Sequence, residues 1–283
     1  MKRKKQRSTA AVNSNLIRRP IQRCFAIFLL PTFVAFCIGF LYPFIKGIYL
    51  SFCKFTTTSN AKWVGLQNYQ KAIADPGFFH AFWYTALVAL VSLVIINVVA
   101  FAVAYALTRG IRGANLFRSV FFMPNLIGGI VLDTNYGFWG LIAVVSWQQI
   151  GYMMIVYIAG LQSVPEDMLE AARIDGANGW QTLTRITIPT VMPSITICTF
   201  LSLTNGFKLF DQNLVLNGGQ PFVFQNGTTI KTTEMLALNI YNTFYLNSKS
   251  RGVGQAKAVL FFILVAAIAI IQMRATHSKE VQQ

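Results

Sequence analysis

Two groups of polar residues interrupt an otherwise apolar chain, where polar side chains are costly in lipid and so usually face a cavity or another helix. Trp147, Gln148, Gln149 and Tyr152 fall close together, and Asn205, Lys208 and Asp211 recur every three residues. Amides, an ammonium and the polar ends of indole and phenol rings can hydrogen-bond a ligand in a cavity, so both groups have suitable chemistry. The same residues also suit a purely structural task, with amides bonding one membrane helix to the next and Lys208 pairing with Asp211 at a helix end. Other chemistry has less support. Cys24, Cys37, Cys53 and Cys198 have neither metal-ligand spacing nor a disulfide framework, and His80 and His277 lack a carboxylate or cysteine cluster nearby. No catalytic residue, cofactor or metal is therefore expected. No GxxxxGK[ST] phosphate loop occurs, so any ATP used belongs to a partner.

A third stretch, "EAARIDGANGWQTLTRITIP" (Glu170 to Pro189), lies between two apolar runs and reads as a bent helical hairpin. Pro165 suits a helix start, and Glu166, Asp167 and Glu170 complement the positive N-terminal dipole. Met168, Leu169, Ala171 and Ala172 continue the helix until Asp175 and Gly176 turn the chain, with Gly176 able to take the left-handed conformation that closes a helix. Asn178 or Gly179 can start a second helix, on which Trp180, Leu183 and Ile186 form an apolar stripe. Pro189 and Pro193 then set the entry to the next apolar run.

The elements that must position these residues follow from composition. The 283 residues are 54% hydrophobic and only 12% charged, too few charges to cover a soluble globule of that size. A helix of ~20 apolar residues crosses ~30 Å of hydrocarbon. Charge-free windows predict six spans within one transmembrane domain, 24–274, at about 24–48, 81–108, 117–132, 137–161, 190–212 and 254–274. The expected fold class is an all-α membrane protein, with a basic segment at 1–23, the hairpin at 164–189, an outer loop at 213–252 and a tail at 275–283. Lys2, Arg3, Lys4, Lys5, Arg7, Arg18, Arg19 and Arg23 precede the first span without an acid, which the positive-inside rule places in the cytoplasm together with the hairpin and both termini. Arg109, Arg112, Arg118, Arg274 and Lys279 agree, whereas Lys54, Lys62, Lys71, Lys231, Lys249 and Arg251 weaken the asymmetry.

The net charge of +15 could serve a nucleic acid, but the spans argue against it. "MKRKKQR" reads instead as a flank attracted to anionic head groups, followed by an uncleaved signal anchor. Between spans, Leu66, Tyr69, Ala72 and Ile73 predict a short surface helix before the Asp75-Pro76-Gly77 turn. Gly218, Gly219 and Pro221 break the outer loop ahead of an amphipathic helix over Thr232 to Tyr245.

The hairpin string resembles the cytoplasmic signature of binding-protein-dependent transport permeases, Glu-Ala-Ala, then Asp-Gly-Ala, then Trp or a similar residue, then Ile-x-Leu-Pro. Glu170, Ala171, Ala172, Asp175, Gly176, Ala177, Trp180, Ile186 and Pro189 carry the match. Leu183 stands where an aromatic is usual and Ile188 where Leu is usual. "FLLPTFVAFCIGFLYPFIKGIYLSF", "WVGLQNYQKAIADPGFF", "FKLFDQNLVLNGG" and "GVGQAKAVLFFI" are similar to the corresponding segments of the carbohydrate branch, the maltose and multiple-sugar type. The resemblance implies a type I ATP-binding-cassette importer permease in a bacterial plasma membrane. Its implied partners are a second permease subunit in a heterodimer, two ATPase subunits, an extracellular solute-binding protein, a sugar substrate and membrane lipid. It further implies that the hairpin enters a cleft on the ATPase, with Glu170, Ala171, Ala172, Arg173, Asp175, Gly176 and Ala177 coupling the two. Trp147, Gln148, Tyr152, Asn205 and Lys208 are the candidate substrate-path residues.

One departure stands out: Leu132 abuts Asp133 where the family continues, leaving span three about two-thirds of the length a bilayer needs. A deletion, or a shallow hairpin drawing Asp133, Thr134 and Asn135 toward the membrane, would explain it. The alternative of a self-sufficient channel or secondary carrier would need intramembrane acids, and the cores of the six windows hold none.

Overall fold

The computed structural model describes residues 29–108, 136–225 and 228–277. The shortened region around Leu132 and Asp133, the basic N-terminus and Arg109, Arg112 and Arg118 lie outside the described residues. The chain divides into two units, Met1–Leu50 and Ser51–Gln283. The first carries nearly all of helix α1 (Leu29–Ser51), which is apolar around its circumference and exposes Leu30, Phe33, Ile38 and Phe40. Such a surface needs lipid or another apolar partner. Phe36, Phe40 and Phe44 stack at successive i,i+4 positions, with ring centroids 5.2 and 6.0 Å apart.

In the second unit, a two-stranded hairpin, β1 (Cys53–Lys54) with β2 (Lys62–Trp63), precedes α2 (Gln67–Ile73). Helix α3 (Pro76–Thr108) then begins at a proline, whose missing N–H is no loss in a first turn. Asp75 caps it, Oδ1 accepting from the Gly77 N–H at 2.9 Å. Ala81, Ala89, Ser92, Ile96, Ala100 and Ala104 make a buried stripe of mostly small residues along α3. Helices α4 (Gly137–Gln162) and α7 (Met192–Phe207) pack against it. The crossing is close because small residues meet: a Cβ on Gly206 of α7 would lie 3.0 Å from the Ala89 Cα. Ile96, Met153, Met154, Tyr157, Val191 and Cys198 fill the core among the three helices. A polar link also joins them, since the Tyr157 hydroxyl donates to Asn97 Oδ1 at 2.6 Å and Asn97 Nδ2 donates to Ser202 Oγ at 3.2 Å.

Between α4 and α7 come α5 (Glu166–Ile174) and α6 (Gly179–Thr190). After α7 the chain forms α8 (Asp211–Leu216), the hairpin β3 (Phe222–Gln225) with β4 (Thr228–Lys231), α9 (Leu236–Tyr245) and α10 (Arg251–His277). Among the described residues, α1, α3, α4 and the run Ser248–Ala275, which holds most of α10, are long and apolar enough to cross a membrane. Helices α6 and α7, bent by 70°, could form a fifth span together.

The outer-loop helix is shorter than its sequence pattern predicts. Thr228, Thr229 and Ile230 pair as a strand with Gln225, Phe224 and Val223, and Thr232 bonds the Pro221 carbonyl oxygen through both its N–H and its hydroxyl. Thr233 likewise bonds the Gly219 and Gln220 carbonyl oxygens and the Met235 N–H bonds Asn213 Oδ1, so these residues stay out of the helix, which starts only at Leu236.

Candidate functional site

The α5–α6 hairpin is fixed by its own caps. Pro165 is extended, with ψ 132°, and releases the chain into α5, whose first turn carries Glu166 and Asp167 and whose last carries Arg173. Each charge thus opposes the dipole end that it faces. Past Ile174, the Ala177 N–H reaches the Ala172 carbonyl at 2.9 Å and the Gly176 N–H reaches the Arg173 carbonyl at 3.1 Å. These are the paired bonds of a Schellman turn, and they require Gly176 at φ +75°. Asn178 follows at once as the cap of α6. Its Oδ1 accepts from the Gln181 N–H and Gln181 Oε1 accepts from the Asn178 N–H, each at 2.9 Å. Back-to-back caps satisfy the backbone groups of the bend locally, which makes the elbow stiff.

Helix α6 widens into a π turn over Leu183–Thr187, where the Ile188 N–H bonds the Leu183 carbonyl. Pro189 supplies the reason: it has no N–H for the Arg185 carbonyl, and its ring would collide with that oxygen in a regular helix. The expected stripe holds only in part. Leu183 and Ile186 are half-buried, whereas Trp180 is exposed. At Val191 the chain breaks by 70° into α7.

The predicted coupling residues separate by position. Glu170, Ala171, Arg173, Asp175 and Gly176 are exposed, Ala177 is half-buried, and Ala172 is buried beneath the elbow. Ala171, Asp175 and Gly176 line a groove of about 510 Å³ with Met168, Arg185 and Ile186. Arg173 instead borders a recess of about 740 Å³ with Tyr105, Leu161 and Glu166.

Of the substrate-path candidates, Gln148, Tyr152, Asn205 and Lys208 are exposed and Trp147 is half-buried. Two amide rungs join α4 to α7 and α8. Gln212 Nε2 donates to Gln148 Oε1 at 2.8 Å, and Asn205 Nδ2 to Gln149 Oε1 at 3.5 Å. Tyr152 and Lys208 are not part of these rungs. The expected pairing of Lys208 with Asp211 does not occur, since the ion pairs among the described residues are Lys231 with Glu234 and Lys257 with Asp75. Beyond Phe207 the chain turns at Leu209 and Phe210 before α8 begins, so the helical i,i+3 geometry is lost.

The second of those pairs anchors a cluster that sequence reasoning missed. Lys257 is 1% exposed, and its ammonium donates to Asp75 Oδ2 at 2.6 Å and to Asn239 Oδ1 and Thr243 Oγ1 at 2.8 Å. All three N–H groups are used, as a buried cation requires. Asn239 Nδ2 in turn donates to Glu234 Oε2 at 2.7 Å, and Asn242 Nδ2 to Glu234 Oε1 at 2.5 Å. The network ties the α2–α3 turn to α9 and α10 at the end remote from the hairpin. A single Lys beside the apolar run "AVLFFILVAAIAIIQM" was the available signal.

Comparison with known proteins places this geometry in context. The family described as "Binding-protein-dependent transport system inner membrane component" matches residues 114–278, which include the hairpin. A probable starch degradation products transport system permease protein of Thermoanaerobacterium thermosulfurigenes is 39% identical, over 90% of this chain and 94% of the relative. A multiple sugar-binding transport system permease protein of Streptococcus mutans is 29% identical, over 90% and 95%. The fold is similar to that of a chain in a bacterial alginate ABC transporter solved in complex with an alginate pentasaccharide-bound periplasmic protein. The TM-score is 0.71 at 19% identity, covering 90% of this chain and 95% of that one.

Proposed function

Because the chain belongs to the binding-protein-dependent transport system inner membrane components, we propose that it forms half of the path by which an ATP-binding-cassette importer carries a sugar or oligosaccharide across a bacterial plasma membrane. The observation that carries this reading is the stiff elbow, which presents Glu170, Ala171, Asp175 and Gly176 to solvent and continues through the π turn and the 70° bend into α7. A cytosolic ATPase gripping the elbow moves α7, and with it Asn205 and the amide rungs to α4. Two ATPase subunits, a second permease subunit in a heterodimer and an extracellular binding protein that delivers the sugar complete the machine. The elbow and both termini face the cytoplasm. Gln148, Gln149, Asn205 and Gln212 offer amides to sugar hydroxyls, and the sugar permeases among the relatives support that cargo.

Co-purification tests the coupling: the full chain captures its ATPase, and deletion of residues 170–179 abolishes capture while leaving the chain in the membrane. Sugar uptake that persists without any ATPase would mark a self-sufficient carrier instead.

A further inference from the structure

At the end of the molecule remote from the elbow, α9 lies against the start of α10 and leaves an open groove of about 400 Å³, within the range of small-ligand sites, ~300–1,000 Å³. Four aromatic rings line it and brace one another. Centroids are 5.1 Å apart for Phe210 and Tyr241, 4.7 Å for Tyr241 and Tyr245, and 5.0 Å for Phe244 and Tyr245. Gly254 lets α10 come close enough to hold this platform, since a Cβ there would lie 2.9 Å from the Phe244 Cβ. Gln255 adds an amide at the edge.

Three polar groups decide what the groove takes. Among the described residues, the Tyr241 and Tyr245 hydroxyls and the Gln255 amide make no hydrogen bond within the chain, and both tyrosines are accessible, at 38% and 61% exposure. A lipid tail or an apolar helix seated here would strip water from those groups and return nothing. A saccharide ring answers both features, with its C–H faces on the aromatic rings and its hydroxyls on the phenols and the amide. No charged side chain lines the groove. Arg251, whose guanidinium lies 5.9 Å from the Phe244 ring centre, is already bonded to the Thr56 carbonyl oxygen. An anionic sugar would find no charged side chain in the lining of the groove itself. Phe210 also directly precedes α8, whose Gln212 forms one of the amide rungs, so a lining residue of the groove and a rung residue lie two positions apart on the chain.

We propose that this groove receives an uncharged sugar ring at the outer mouth of the path, an inference that rests on the importer reading above. The test is uptake by the complete importer in vesicles, with a panel of neutral mono- to trisaccharides and, separately, uronate oligosaccharides as probes. The wild type takes up a neutral member and no uronate. Tyr241→Ala and Tyr245→Ala each raise KM for that sugar about tenfold, the equivalent of ~1.4 kcal/mol, with a smaller change in maximal rate. Tyr241→Phe, which keeps the ring, raises it less than threefold and guards against a folding artefact. Wild-type uptake of uronates alone overturns the inference and leaves the importer reading intact. So does unchanged KM in both alanine variants, or a loss confined to the affinity of the binding protein for the permease, which would make the groove a protein contact. Absence of sugar uptake by the wild type defeats the importer reading itself.

Discussion

Gly176 and Lys257 mark the two extremes of legibility at the level of single residues. Gly176 sits at φ +75°, where a Cβ would meet open space, so replacements suffer from backbone strain alone, ~1–2 kcal/mol for an ordinary L residue. Asn tolerates that region and a β-branched side chain does not. Gly176→Asn is therefore expected to retain ATPase capture and most uptake, whereas Gly176→Val loses both while its level in the membrane is unchanged; co-purification and uptake assays check this. The Asp-Gly-Ala-Asn string announced the turn because each residue acts locally. Lys257 depends on Asp75, Asn239 and Thr243, remote in sequence, and in a charge-free window it served only as an edge. Removing it by Lys257→Ala leaves buried acceptors without a donor. Breaking a buried pair in this way costs ~3–5 kcal/mol, and the 37% exposure of the Asp75 side chain brings the expected loss toward the lower figure, since solvent screens that carboxylate. A lowered unfolding temperature in detergent, largely recovered in the double variant Lys257→Met with Asp75→Asn, is the expected result. Equal stability of Lys257→Ala and wild type would contradict it.

Elements were legible where one period dominates. Helix α4 could be read from its apolar length, and α5 from its acidic start and glycine end. Helix α3 begins at Pro76, ahead of the charge-free window that opens at His80, because the Asp75 cap and Pro76 decide its start rather than hydropathy. The β3–β4 hairpin escaped detection because two four-residue runs are too short to show a period, and each strand is selected by its partner. The π turn in α6 was also hidden, although Pro189 was in view. That turn invites a test of force transmission. Pro189→Ala restores an N–H for the Arg185 carbonyl and permits a regular helix, which rotates α5 and the start of α6 relative to α7. ATPase capture is expected to survive, because the elbow residues are untouched, while uptake falls several-fold. Joint retention of capture and uptake would show that the π turn plays no part in coupling. Gly206→Leu probes the other side of α7: with the Ala89 backbone 3.0 Å from its Cβ position, the helices must separate at ~1–3 kcal/mol, lowering stability without altering the elbow.

At the scale of the whole molecule, orientation is a matter of parity. The elbow joins the end of α4 to the start of α7, and the aromatic groove and Lys257 cluster lie beyond the other end of α7. Sixteen residues of helix separate the two ends, ~24 Å at 1.5 Å per residue, which approaches the thickness of a hydrocarbon core once the bent segment before it is added. In the proposed arrangement one end faces the cytoplasm and the other the exterior. Basic residues favour the elbow as the inner end, but Lys54, Lys62, Lys71 and Lys249 dilute that bias, so composition alone specified the orientation less sharply than it specified the spans. A labelling experiment on intact cells decides it directly. With the native cysteines replaced, Asp175→Cys and Leu246→Cys place single thiols at exposed sites on opposite ends; Leu246 is 73% exposed. A membrane-impermeant maleimide added outside is expected to modify Leu246→Cys within minutes and to leave Asp175→Cys unmodified until the membrane is permeabilised. The reverse pattern would put the elbow out of reach of any cytosolic ATPase. Labelling of both sites from outside would mean that α7 with its bent partner does not cross the membrane.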